Sequence, residues 1–396
     1  MPNINLKNID KSNWKSYRFD QIAINVSERV DPKTTNMELY IGLEHLDSDS
    51  IHIKRSGTPD DVEGQKLKCY PGDVIFGKRR AYQRKAAVVT EEGICSAHAF
   101  VLRANPEIIE PKLFPFFLHS YMFMHRAVDI SVGGLSPTIN WSNLREQEFL
   151  LPPKDQQAQI AELLWAMDDV IEKDLILKSK YEKYFKRYMN DAILGKLRKE
   201  NSGWKEYVFG ELGETFSGLS GKKGDDFGFG LPFVNYMNVF RNSKVNLNQV
   251  DYVKIEDGEN QHELKYGDIL ITGSSETPDE LGMSSVVLDD VKGYYLNSFC
   301  FGFRLHTFNL LLPEYTRYLM RSQVVRDFMK KHAQGYTRFN LSKKTLKTKL
   351  KIVVPIISEQ KFIAHKLERM DDLLLNISNK ISASKALQKS LINQVF

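Results

Sequence analysis

Cysteine is scarce in this chain: Cys69, Cys95 and Cys300 are the three among 396 residues. No two of them stand at metal-ligand spacing, and three cannot make a disulfide framework, so they are expected to be reduced and structural. The nine histidines are scattered and none falls at zinc spacing. Long apolar runs are missing too. The nearest, Leu113 to Met124, is interrupted by Pro115, His119 and Ser120, well short of the ~18–20 residues that cross a bilayer. The first residues carry Asn, Lys and Asp where a secretory leader needs an apolar core. The expectation is a cytoplasmic protein with no membrane partner. Neither sign of charge dominates. The 55 basic and 50 acidic residues leave +5, which permits nucleic-acid binding without requiring it. With 42% hydrophobic and 27% charged residues, wholesale disorder is excluded, and the length fits two domains plus connectors.

Catalytic constellations are also lacking. Leu151-Pro152-Pro153-Lys154 has the paired prolines of a nucleic-acid methyltransferase but not the preceding Asn or Asp. The glycine-rich stretch 213–224 continues as Gly218-Leu219, so it fails the phosphate-loop pattern. The stretch 59–66 contains the acids and lysine of a metal-dependent nuclease at the wrong spacing and reads as a turn-rich loop. Asp168-Asp169 and Asp371-Asp372 recur, yet neighbouring helical residues point about 100° apart. They read as solvated or partner-facing carboxylates rather than a metal pair. No catalytic residue, metal ligand or bound cofactor is therefore expected.

What the sequence does have is an internal repeat of about half its length. Trp14-Lys15-Ser16-Tyr17-Arg18-Phe19 matches Trp204-Lys205-Glu206-Tyr207-Val208-Phe209. Gly72-Asp73-Val74-Ile75 matches Gly267-Asp268-Ile269-Leu270. Ala87-Val88-Val89 is echoed by Ser285-Val286-Val287, and Phe100-Val101-Leu102-Arg103 by Phe301-Gly302-Phe303-Arg304. Asn140-Trp141-Ser142 parallels Asn340-Leu341-Ser342. The match is best at the close of each half, where Pro152, Gln157, Ile160-Ala161 and Met167-Asp168-Asp169 pair at constant offset with Pro355, Gln360, Ile363-Ala364 and Met370-Asp371-Asp372.

Each half reads as a variable globular part followed by a well-kept helix. Apolar runs predict strands at 73–76, 86–89 and 98–102, and at 268–272, 285–288 and 299–303, with the Gly-Asp pairs as turn signals. Pro152-Pro153 ends the first globular part, Asp155 is a suitable N-cap, and Ser358 matches it in the second copy. Helix one is expected to end near Gly195; helix two runs to the end of the sequence. Ile363, Leu367, Met370, Leu374, Ile377 and Ile381 form a coiled-coil seam that lapses at Ser384 and Gln388. Ile160, Leu164, Met167 and Ile171 form another that breaks at Asp174 and Lys178. The expected fold is α+β, with two mixed α/β parts separated by two long helices packed as an antiparallel coiled coil in a pseudo-twofold repeat. The expected divisions are 1–153, 154–199, 200–353 and 354–396. The plainer reading, that the helices merely close two adjacent domains, stays beside it.

Two polar stretches carry the binding chemistry. Lys78-Arg79-Arg80-Ala81-Tyr82-Gln83-Arg84-Lys85 holds no acid and combines guanidinium forks, a stacking ring and an amide, the side chains that contact phosphates and base edges. From Arg321 to Lys351 the sole acid is Asp327, and this run contains Tyr336, Thr337, Arg338 and Phe339. The matching loop of the first half includes Ser136 and Thr138. Ser274, Ser275 and Glu276 follow the 268–272 strand. Such runs are often solvated surface, but basic loops at matching places in both halves favour nucleic acid. The candidate DNA-binding set is Lys78, Arg79, Arg80, Tyr82, Gln83, Arg84, Lys85, Ser136, Thr138, Ser274, Ser275, Tyr336, Thr337, Arg338 and Phe339.

With two variable parts, two kept helices and the junction Leu151-Pro152-Pro153-Lys154-Asp155-Gln156-Gln157, repeated as Val354-Pro355-Ile356-Ile357-Ser358-Glu359-Gln360, the chain resembles the specificity subunit of type I restriction-modification systems. The family pattern has Glu-Gln after the prolines; the second copy keeps it and the first has Gln156-Gln157. The resemblance implies two target recognition domains, each reading half of a split site on double-stranded DNA. It implies helices that set the half-site spacing and dock two modification (methyltransferase) subunits, with restriction/translocase subunits joining them. S-adenosylmethionine, ATP and Mg would reside on those partners, which methylate flipped-out adenines. Three alternatives stay open: a specificity subunit whose partner is a fused methyltransferase-nuclease, a cryptic nuclease, and a coiled-coil scaffold that binds only proteins.

Overall fold

The computed structural model describes residues 11–197 and 203–396. The chain divides into two compact units. Unit one holds residues 1–177 and 378–396, unit two residues 178–377. Each therefore contains one globular part and a length of both long helices.

In unit one the central sheet is antiparallel, ordered Ala23–Val26, Ala99–Ala104, Val74–Gly77, Ala86–Val88. In unit two the corresponding order is Gly213–Ser217, Cys300–Leu305, Ile269–Thr272, Ser284–Val286. The predicted strands lie within two residues of these bounds, because both central strands are buried throughout and show as continuous apolar runs. The short strands of the outer sheets, such as Arg29–Val30 and Tyr40–Ile41, carry too few residues to show a period. The Gly-Asp pairs do more than turn the chain. Asp73 and Asp268 are buried, and each accepts two bonds from an arginine on the neighbouring strand, Arg103 at 2.7 and 3.0 Å and Arg304 at 2.8 and 2.7 Å. That pairing explains why Arg103 and Arg304 recur.

The closing segments are built alike. Lys15–Arg18 pairs with Glu148–Leu151, and Lys205–Val208 with Lys351–Val354. The helices that follow span Lys154–Ile193 and Ile357–Val395. Asp155 and Ser358 lie inside the first turn rather than at the N-cap, where Asp155 still complements the positive end of the helix dipole. The repeated glutamine is a latch. Gln157 donates to the carbonyls of Ile108 (3.0 Å) and Pro152 (2.8 Å) and accepts from Glu110 N (2.6 Å). Gln360 does the same with Leu310, Pro355 and Leu312 N. Both amide hydrogens and the amide oxygen of each buried glutamine are thus engaged in tying helix to globular part.

Within unit one the two helix lengths run antiparallel: Lys380 reaches Asp174 at 2.9 Å and Gln388 donates to the Leu164 carbonyl at 3.3 Å. Asp174, where the first seam breaks, is thus matched by Lys380, and Gln388, where the second lapses, by a backbone carbonyl. Within unit two Lys366 lies 4.7 Å from the Tyr188 ring centre, the same sense of pairing. Of the two readings the sequence left for these carboxylates, solvated or partner-facing, Asp168 is buried and Asp371 half-buried, and both face partners within the chain. Asp168 accepts from His52 Nε2 at 2.6 Å, and Asp371 from Arg317 at 2.5 Å and the Tyr318 hydroxyl at 2.9 Å. Each holds its own globular part against its helix. Among the described residues no helix is long and apolar enough to cross a membrane.

Candidate nucleic-acid interface

The central strand Val74–Gly77 of unit one runs on through Lys78 and Arg79 to meet a glycine hairpin. Val132 and Thr138 close that hairpin with two backbone bonds (3.0 and 2.9 Å), Ile139 N donates to the Lys78 carbonyl at 3.0 Å, and Arg80 N to the Pro137 carbonyl at 2.7 Å. Gly133, with φ of 117°, supplies a backbone conformation that a Cβ would oppose. Leu135 at the tip is 98% exposed. Unit two repeats this geometry. Gln334 and Asn340 close the hairpin (3.1 and 2.8 Å), Leu341 N donates to the Gly273 carbonyl at 3.0 Å, and Gly335 has φ of 134°. Tyr336 at the tip is 99% exposed. The hairpins correspond at an offset of 202, so Asn340 stands where Thr138 stands. Pairing Asn140 with Asn340 by sequence is two residues out of register. Asn140 instead matches Ser342, and each precedes a short helix, Trp141–Leu144 and Lys343–Lys349.

The candidate side chains separate into two groups. Arg79, Arg80 and Arg338 are exposed and bond only to hydroxyls: Arg79 Nη2 and Arg80 Nε to Ser136 Oγ at 3.5 and 3.2 Å, Arg338 Nη2 to Ser274 Oγ at 3.2 Å. Among the described residues none of the three is paired with a carboxylate. Arg338 also lies over the Phe299 ring, 5.0 Å from its centre, at the mouth of a cavity of about 470 Å³ walled by Tyr236, Phe240, Glu276 and Glu280. Lys78 sits 5.1 Å from the Phe100 ring centre, and burial lowers its pKa. Tyr82 is exposed and Gln83 half-buried. Thr138 is half-buried and its hydroxyl donates to the Ser136 carbonyl. Thr337 is exposed and Phe339 packs partly against the unit-two core.

Arg84, Lys85, Ser274 and Ser275 are held by internal partners. Arg84 bonds Asp49 at 2.7 Å and the His119 carbonyl at 2.9 Å, and Lys85 the Leu43 carbonyl at 2.6 Å. Ser274 and Ser275 are buried, and Ser275 donates to the Thr277 carbonyl. The basic run from Arg321 is internal only in part, since Lys331, Arg338, Lys344 and Lys349 are among its exposed members. Arg321 donates to four carbonyls, those of Ser284, Val239, Phe240 and Asn242, and burial lowers its pKa to about 10. Lys330 pairs with Asp279, Lys347 with Glu214 and Lys351 with Glu206. These acids come from distant sequence and match three of the ten basic residues of the run, so it is less basic in space than along the chain but stays net positive. Sequence reasoning missed Lys343, which donates to Ser217 Oγ at 2.8 Å and lies 5.6 Å from the Phe301 ring centre; among so many lysines its sequence has no distinguishing mark.

The family described as Type I restriction modification DNA specificity domain matches residues 12–178 and 201–384. A curated relative, the specificity subunit of the Escherichia coli type I restriction enzyme EcoDI, is 29% identical over 173 residues, 41% of this chain and 37% of that protein. The aligned region thus spans little more than a third of that relative. Two solved structures share the fold along the chain. One, from work on complex assembly and conformational transition of the type I R-M system, has a TM-score of 0.61 at 18% identity and covers 97% of both chains. The other, a type I restriction-modification system S subunit from M. genitalium, has a TM-score of 0.59 at 16% identity and covers 100% of this chain and 98% of that one. With the family match on both halves, the same sheet and hairpin in both units and the same fold in these structures, the chain belongs to the type I restriction-modification DNA specificity domain family.

Proposed function

We propose that this chain is the DNA-sequence-recognition subunit of a type I restriction-modification complex, each globular part reading one half of a bipartite site on double-stranded DNA. One observation carries the reading: both units expose guanidinium groups without acidic partners at the same junction of central strand and glycine hairpin. An exposed arginine that bonds only a hydroxyl keeps most of its five donors for an anionic or base-edge partner. The chain contributes recognition and no chemistry of its own. Two modification subunits would dock on the long helices and carry S-adenosylmethionine, with restriction/translocase subunits supplying ATP- and Mg-dependent steps. The helices would set the spacing between half-sites.

The experiment is DNA binding and methylation by the complex assembled from this chain and its modification subunits. Arg79→Ala with Arg80→Ala is expected to weaken binding and to lower the slope of log affinity against log salt by about 0.9 for each phosphate no longer neutralised. Only the unit-one half-site should be disturbed. Unchanged affinity and methylation pattern would remove unit one's junction from the interface. Metal-dependent cleavage by the purified chain alone would contradict the division of labour.

A further inference from the structure

The two junctions carry the same pair of residue types with their positions exchanged. Arg79 bridges Thr138, and Ser274 bridges Asn340, so the Arg79-Arg80 step corresponds to Ser274-Ser275. Ser136 lies two residues before Thr138 and Arg338 two before Asn340, so these correspond as well. In unit one the strand provides arginine and the hairpin provides serine. In unit two the strand provides serine and the hairpin provides arginine. The bond between them forms in both.

A second exchange accompanies the first. Phe100 lies opposite Phe76, and Phe301 opposite Ile271, which makes these two rings equivalent. Each has a lysine ammonium over it, but Lys78 comes from the end of a strand and Lys343 from the start of a helix. Gly273 stands in the place of Lys78, and Trp141 in the place of Lys343.

Fold stability does not ask for this. An exposed arginine–serine bond competes with water and contributes little to the fold, so either residue could vary. A positive charge kept at one point while its carrier changes fits an external ligand of fixed geometry. Ser274 Oγ and the Phe299 ring both contact the Arg338 guanidinium, a restraint that phosphate neutralisation does not need and that suits bidentate pairing with guanine O6 and N7. Resting on the DNA-recognition reading above, we propose that the arginine side of this clasp, Arg79-Arg80 in unit one and Arg338 in unit two, is the same base reader delivered from opposite strands, and that each half-site holds a guanine at the corresponding position.

The test is methylated-adenine mapping, on a randomised DNA library, by the complex of this chain with its modification subunits. The expected wild-type site has a G·C pair in each half. Arg79→Ser with Arg80→Ser should relax discrimination at one base pair of the unit-one half by about tenfold or more. Adding Ser136→Arg, which gives unit one the arrangement of unit two, should restore discrimination to within about threefold. Arg338 is exposed, so Arg338→Ser gives an independent reading in unit two and should relax one pair in the other half alone. A uniform loss over all sequences, or a triple variant that reads no better than the double, would overturn the assignment while leaving DNA recognition standing. A wild-type complex without sequence preference would overturn both.

Discussion

Trp204 donates its indole hydrogen to Glu359 at 3.1 Å, while its counterpart Trp14 is buried with no acceptor for Nε1 among the described residues. Glu359 corresponds to Gln156, the position where the first junction departs from the family pattern, and a carboxylate there would offer two acceptor oxygens and no competing donor. A buried donor without an acceptor costs about 1–3 kcal/mol. Gln156→Glu is therefore expected to raise stability by about 1 kcal/mol, read as a higher melting temperature of the chain, with Trp14→Phe abolishing the gain. A melting temperature that stays level would show that Trp14 finds its acceptor elsewhere. At this scale the sequence was partly legible. Arg79, Arg80 and Arg338 could be picked out by type and loop position. That Arg84 and Lys85 are tied to Asp49 and Leu43 could not, since those partners lie 35 and 42 residues away. The bidentate Asp73–Arg103 pair was visible only as two recurring residues with no stated connection. Asp73→Ala would leave Arg103 unmatched and remove a buried carboxylate that holds its turn. It is expected to cost on the order of 2 kcal/mol, measured by denaturant unfolding; Asp268→Ala is the control that should behave alike.

Elements were more legible than side-chain partners. Strands and helices showed in the sequence because burial imposes a period on them. The hairpins did not, because a seven-residue loop has no period, and the shared asparagines misled the alignment by two residues; backbone bonds and positive-φ glycines fix the register. The helix carboxylates are the other case. Asp168 faces His52, which lies in sequence between the sheet strands Ala23–Val26 and Val74–Gly77, with Lys54 and Glu172 beside them at 2.9 Å from each other. The hydrogen bond to Asp168 raises the His52 pKa, against an opposing desolvation effect. A folded-state pKa above the unfolded value means that this contribution to stability is fully present below about pH 6.5 and is lost as pH rises through the raised value. The stability advantage of wild type over His52→Gln should therefore be larger at pH 6 than at pH 8.5, as read by denaturant unfolding at both. An advantage that does not change with pH would show that His52 acts through packing alone.

At the scale of the whole chain, two copies of one unit agree most in the glutamine latch, the buried Asp–Arg pair and the long helices, and differ where residues are exposed. The latch holds each globular part to its helix, the ion pair fixes a turn to the neighbouring strand within it, and the exposed junctions are free to change carriers of charge. Formal net charge says little about this, because part of the basic run after Arg321 is matched by acids brought from elsewhere. The central claim is that each globular part independently reads half of one DNA site. It is tested most directly by replacing the first globular part, up to Pro152, with a second copy of the other, from Trp204 to Pro355, and mapping the adenines methylated by the assembled complex. The account predicts a site made of two unit-two half-sites, with the unit-one half gone. An unchanged site, or an intact complex that methylates without a two-part site, would contradict it.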